Sequence, residues 1–100
     1  METQVIGGFV WDSINTEKID DHGLEREDIE GLFDEAPVVF QHPKYPQRWM
    51  ALGFVPEPDD RFLLVSFEIN DTSWVRVVTA FEPTNEKWWR IYAKAKGIQA

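Results

Sequence analysis

The stretch from Arg61 to Phe81 constrains the fold most. It reads Arg61-Phe62-Leu63-Leu64-Val65-Ser66-Phe67-Glu68-Ile69, then the turn formers Asn70-Asp71-Thr72-Ser73, then Trp74-Val75-Arg76-Val77-Val78-Thr79-Ala80-Phe81. Two runs rich in Val, Phe and Ile, separated by so short a turn, must pair antiparallel, which predicts a β-hairpin. On its first strand Phe62, Leu64 and Ser66 share one face, while Leu63, Val65, Phe67 and Ile69 share the other. Both faces are largely apolar. The strand is therefore expected at the centre of a sheet covered on both sides, and the rest of the chain must supply the covering layers.

The flanking segments predict those layers. Val5 to Val10 reads as a first strand, in which Gly7-Gly8 is a weak point or a bulge. Asp12 or Ser13 can cap a short helix with Ile14, Lys18, Ile19 and His22 near one face, ending at Gly23. A second helix starts from an N-cap at Glu25, with Leu24 and Ile29 as its hydrophobic staple and Ile29, Leu32 and Phe33 as its apolar stripe. Val38 to Phe40 is a short strand and the Pro-rich His42–Pro46 a loop. Arg48 to Val55 is a further strand and Pro56–Asp60 a turn. A last helix from about Thr84 to Lys96 repeats Trp88, Ile91, Tyr92 and Ala95 at helical spacing and stops at Gly97. The order is β-α-α-β-β-β-β-α, an α+β fold with four to five antiparallel strands.

One hundred residues make one domain, and five Trp with seven Phe give it ample material for a core. The chain has no cysteine, so no disulfide framework, thiolate nucleophile or thiolate ligand. No apolar run approaches the roughly 18 residues of a membrane span, and the N-terminus lacks the basic start of a signal peptide. A cytoplasmic protein with no membrane partner is expected. The net charge of −8 is uneven. Met1 to Glu35 carries eleven acids against Lys18 and Arg26, a balance of −9, while the remainder balances at +1. Stable non-specific binding to bare nucleic acid requires a basic face, so this composition favours a basic protein partner.

Chemistry-bearing residues are few. His22 follows Asp20-Asp21 at a helix end, where carboxylates and helix carbonyls would favour the imidazolium, useful for proton transfer or phosphate contact. The plainer alternative is a structural histidine at the helix terminus. Asp20, Asp21 and His22 are adjacent and point in different directions, which disfavours a metal site. His42 lies in the Pro-rich loop, where an exposed, idle side chain is expected. Arg48, Arg61, Arg76 and Arg90 can hold a phosphate if the sheet gathers them, or can form four separate surface ion pairs. Trp88 fits the buried helix stripe, so Trp89 is expected to face outward as an interface anchor or a base-stacking surface.

Several segments carry a family resemblance. The run Phe9-Val10-Trp11-Asp12, followed at fixed distance by Lys18, His22 and Gly23, resembles the opening of the BrnT toxin family. Leu32-Phe33, Arg48-Trp49-Met50-Ala51-Leu52-Gly53, Arg61-Phe62-Leu63-Leu64-Val65, Val75-Arg76-Val77-Val78-Thr79-Ala80 and the closing Arg90 and Tyr92 are similar to later blocks of that family, in the same order, so the resemblance runs from Phe9 to Tyr92. It implies a RelE-like fold and a ribonuclease toxin of a bacterial type II toxin-antitoxin system. Such a toxin cleaves RNA without metal or cofactor and is neutralised by a BrnA-type antitoxin, as a homodimer or as a hetero-oligomer with that partner. Carried over by position, the implied catalytic set is His22, Arg48, Arg76, Arg90 and Tyr92. The chain departs from the family pattern at Asp21, where a base precedes the His, at Phe81, where Arg is frequent, and at Trp88-Trp89, where a Glu-Arg pair is usual. Two cations are thereby missing and an acid is added, which keeps open a catalytically weak or silent protein-binding module on the same fold.

Overall fold

The predicted hairpin is the middle of a five-stranded sheet. The computed structural model describes residues 7–55 and 61–98. The predicted Pro56–Asp60 turn and the Val5-Ile6 start of the first strand lie outside the described residues. In chain order the elements are β1 (Gly8–Val10), α1 (Ser13–Asp20), α2 (Arg26–Asp34), β2 (Val38–Gln41), β3 (Trp49–Phe54), β4 (Phe62–Ile69), β5 (Trp74–Phe81) and α3 (Glu86–Lys96). The sheet order is β1-β5-β4-β3-β2, so β4 is central as its two apolar faces require. The β4–β5 turn is held by the Asn70 side-chain oxygen, which accepts from the N–H groups of Thr72 and Trp74, each at 3.0 Å.

The architecture is α+β with two early helices and a C-terminal one, as expected, but the sheet is mixed. Strands β2 to β5 are antiparallel, whereas β1 joins the outer edge of β5 in parallel, with Gly8, Phe9 and Val10 opposite Trp74, Val75 and Arg76. On one face α1 and α2 bring Ile19, Leu24, Ile29 and Leu32 against Val65, Phe67, Val75 and Val77. On the other, α3 sets Trp88 and Tyr92 over Met50, Leu52 and Leu64. A register shift between the Ser66 and Phe67 pairs leaves Val78 as an extra residue on β5. The bulge changes the alternation. Val77 and Ala80 both enter the α1–α2 core, and Phe81 shares the α3 face with Arg76, five residues earlier.

Helix ends follow local chemistry. The Asp12 carboxylate accepts from the N–H groups of Ile14 and Asn15, each at 2.9 Å, and the Asn15 side-chain oxygen accepts from Asp12 N–H at 2.9 Å. Asn15 also donates to Val10 O at 2.9 Å, so Asn15 turns inward with Ile19. The expected apolar face of α1 is thus corrected. Ile14 is 62% exposed, and Lys18 and His22 are exposed as well. Gly23 takes φ +71°, as a C′ glycine does. Helix α3 is capped by Asn85 and closed by Gly97 at φ 72°.

The face of α3 is rotated from the expected one. Ala93 is its buried residue, and Trp89 packs edge-to-face on Phe54 and Phe62 at 6.1 and 5.6 Å between ring centroids. Ile91 and Ala95 face outward. Trp89 is therefore half-buried against the aromatic surfaces of Phe54, Phe62 and Tyr92, which reward its burial more than an Ile at position 91 would. The exposed indole is Trp74, at 42%.

Candidate functional site

Because α3 rests on β2 and β3, it leaves the β5 side of its own sheet face uncovered among the described residues. Across that uncovered part runs one row of charges. Glu68 of β4 is directly opposite Arg76 of β5. On its other side the register that pairs Trp49 with Phe67 puts Arg48, just ahead of β3, beside Glu68, with Arg48 Nε 3.6 Å from the carboxylate. Arg76 Nη2 lies 3.0 Å from Asp12 Oδ2. The order across the sheet is Asp12, Arg76, Glu68, Arg48.

Each member is about one-third exposed, enough to meet a ligand while still backed by the sheet. Arg48 Nε is buried and has no hydrogen-bond partner among the described residues, since 3.6 Å to Glu68 is an ion-pair distance and not a hydrogen bond. An unsatisfied buried guanidinium N–H is costly. The backbone N–H of Asn15 foremost, then Arg76 and the N–H of Ile14, holds the Asp12 carboxyl below its ordinary value of 3.8, against a smaller opposing effect of burial. Asp12 is therefore a fixed anion that orients Arg76.

Beyond Arg48 the row ends in two rings. The Arg48 guanidinium sits 4.8 Å over the Tyr45 ring, whose centroid is 5.0 Å from that of His42. His42 Nδ1 accepts from the N–H groups of Lys44 and Tyr45 at 3.0 and 3.3 Å. Those bonds put the imidazole proton on Nε2. The loop histidine is thus half-buried and held by the loop backbone next to Tyr45.

The carried-over residues are not gathered in one place. Arg48 and Arg76 are in the row. His22 lies past the other end of α1. Asp12 meets Arg76 where α1 begins, and at 1.5 Å per residue His22 is about 15 Å further along. There its ring is 6.0 Å from Phe81, and its carbonyl and that of Gly23 accept from Arg61, which also pairs with Glu82. Arg90 is on the outer side of α3, paired with Glu86 and 71% exposed. Tyr92 is part of the aromatic layer with Phe54, Phe62 and Trp89. Glu68 was not among the sequence candidates, although a lone carboxylate on a strand read as central is the signal that marks it.

A cleft of about 490 Å³ opens between α1 and α2, lined by Glu17, Asp20, Glu25 and Glu27 among others. It lies on the opposite face of the sheet, and its acidic walls have the wrong sign for phosphate. Among the described residues no group of three or more His, Asp or Glu is arranged to hold a metal ion. No helix is long and apolar enough to cross a membrane among those residues.

A family profile described as a domain of unknown function, DUF4258, matches residues 16–82. The chain belongs to the DUF4258 family. The match runs from the middle of α1 through β5, so it includes Glu68, Arg48 and Arg76 but not Asp12, and stops just before α3. No curated protein matches this DUF4258 chain at a significant level.

Proposed function

We propose that this DUF4258 protein is a metal-independent endoribonuclease, the toxin of a two-component system neutralised by a BrnA-type antitoxin, and that its site is the Arg48–Glu68–Arg76 row. The observation that carries the reading is a carboxylate on β4, ion-paired with Arg48 and placed opposite Arg76 by strand register, on a partly exposed sheet face. Cleavage of RNA by its own 2′-hydroxyl needs a base for that hydroxyl and cations for the charge that grows on the phosphate oxygens. Glu68 takes the 2′-proton. The 2′-oxygen bonds to phosphorus, the bond from phosphorus to the 5′-oxygen breaks, and a 2′,3′-cyclic phosphate forms. Arg48 and Arg76 hold the non-bridging oxygens throughout. Among the described residues no side chain is placed to deliver a proton to the departing 5′-oxygen in this reading, so that oxygen is protonated by water. Lacking a placed general acid, typically worth about 10²–10⁴ in rate, the enzyme is slow.

A second reading, a non-catalytic protein-binding module, is favoured by the neutrality of the row. Asp12 and Glu68 balance Arg48 and Arg76, in a chain of net charge −8. Such a row attracts a polyanion weakly. One experiment separates the readings. Purified protein is incubated with mixed-sequence RNA in chelator, beside Glu68→Gln, Arg76→Ala and His22→Ala. The nuclease reading expects cleavage that falls about 100-fold or more in Glu68→Gln and Arg76→Ala, and stays near the parent level in His22→Ala. Loss in His22→Ala alone would move the site to the other end of α1. No cleavage by the folded parent protein would leave the binding module.

A further inference from the structure

Trp74 is an exposed indole whose orientation is dictated from beneath. It is opposite Gly8 in the β1–β5 ladder, and a Cβ built on Gly8 would stand 3.0 to 3.1 Å from three carbons of its six-membered ring. A Cβ on Gly7 would stand 3.1 Å from the indole Nε1 and 3.2 Å from the neighbouring ring carbon. Both halves of the indole therefore rest on the bare backbone of two consecutive glycines. Neither glycine has a positive φ, so turn geometry does not require glycine at either position. What glycine supplies here is room for close approach, which lets the ring lie flat against β1. With 42% of the residue still exposed, the outer side of the ring is turned to solvent.

The neighbour of this flat ring is the charged row. Trp74 and Arg76 are two residues apart on β5, on the same face and about 7 Å apart along the strand. That is on the order of the distance between a phosphate and the base it carries. A guanidinium that contacts phosphate beside an open aromatic face is the usual construction for single-stranded nucleic acid, because every base has a π-face and stacking tolerates any sequence. A protein hot spot, in contrast, is a ring that inserts into a partner's pocket, and an indole lying flat on its own backbone has little to insert.

We infer that Trp74 is the base-stacking platform of the site, receiving a nucleobase of single-stranded RNA next to the phosphate held by Arg76 and Arg48. The inference rests on the nuclease reading for its phosphate position, but stacking is measured without cleavage. The probe is a short RNA with 2′-O-methyl groups, which cannot be cleaved through its 2′-oxygen, together with the same oligomer made abasic at one internal position.

The first measurement is the Trp74 indole N–H signal of the ¹⁵N-labelled parent protein during titration, which needs no variant to fold. The expected result is a shift of that signal with the intact oligomer, affinity about tenfold or more weaker in Trp74→Ala, and affinity largely kept in Trp74→Phe. For the abasic oligomer, Trp74→Ala should make a smaller difference. If the oligomer binds and Arg76→Ala weakens it while Trp74→Ala, shown folded by circular dichroism, does not, the platform is overturned and the nuclease reading stands. If Trp74 responds as expected but the parent cleaves no RNA, the platform stands and the nuclease reading fails. If no oligomer binds, or if Trp74→Ala instead converts a dimer to a monomer in sedimentation, the platform is overturned.

Discussion

Arg76 and Asp12 are joined at 3.0 Å across the edge of the sheet, so one ion pair ties β5 to the N-cap of α1. Asp12 therefore serves twice, closing the first turn of a helix and holding a guanidinium in place on the sheet face. A single residue couples the fold to the candidate site.

This coupling predicts an acid-sensitive helix start. The Asp12 carboxyl is held below its ordinary 3.8, so its contribution to stability is full above the unfolded value and is lost as pH falls through the lower folded one. Urea midpoints of the parent should therefore fall between neutral pH and about pH 3 more than those of Asp12→Asn. At neutral pH Asp12→Asn keeps a capping oxygen and should be more stable than Asp12→Ala.

Arg61 should matter more to stability than an ordinary surface arginine. Its guanidinium donates to the carbonyls of Gly23 and His22 at 3.0 and 3.3 Å while pairing with Glu82, which fastens the end of α1 to the sheet. Arg61→Ala is expected to cost about 1–2 kcal/mol by urea denaturation. Glu82→Ala, which leaves the carbonyl contacts in place, should cost no more than about 1 kcal/mol. Arg61→Lys should resemble Ala more than Arg, because an ammonium lacks the planar fork that serves several acceptors at once.

Gly8 and Trp74 should be energetically coupled. An added methyl on Gly8 falls 3.0 Å from the indole, so Gly8→Ala is expected to destabilise by about 1–3 kcal/mol. In a Trp74→Ala background the same change should cost far less. A double-mutant cycle read from urea midpoints measures the difference, and additive effects would contradict the close packing described above.

Phe67 is the keystone of the α1–α2 side. It is 1% exposed and meets Phe33 edge-to-face at 5.1 Å. Phe67→Ala is expected to cost about 3–5 kcal/mol, a large part of the roughly 5–15 kcal/mol that such a domain possesses. Thermal unfolding by circular dichroism should show a strongly lowered midpoint, and Phe67→Leu should lose much less.

Much of the fold was legible because it rests on local chemistry. Turn formers between two β-rich runs required the hairpin, Asp12 or Ser13 and then Glu25 marked where helices begin, and Gly23 and Gly97 marked where they end, since each of these depends on residues only a few positions apart. Two apolar faces on Phe62 to Ile69 placed that strand at the centre. Contacts between distant segments decided the rest. Whether β1 pairs in parallel, whether α3 buries Trp89 or Ile91, and whether Asn15 or Ile14 turns inward depend on which surfaces meet after folding, and helical periodicity alone cannot rank those choices. The site was hidden for the same reason. The extra residue at Val78 sets which β5 side chains share a face, and only the strand register puts Glu68 between Arg48 and Arg76. The chain determined its elements by short-range propensity and capping, and the tertiary structure decided the site by packing and register, which act between residues far apart in sequence.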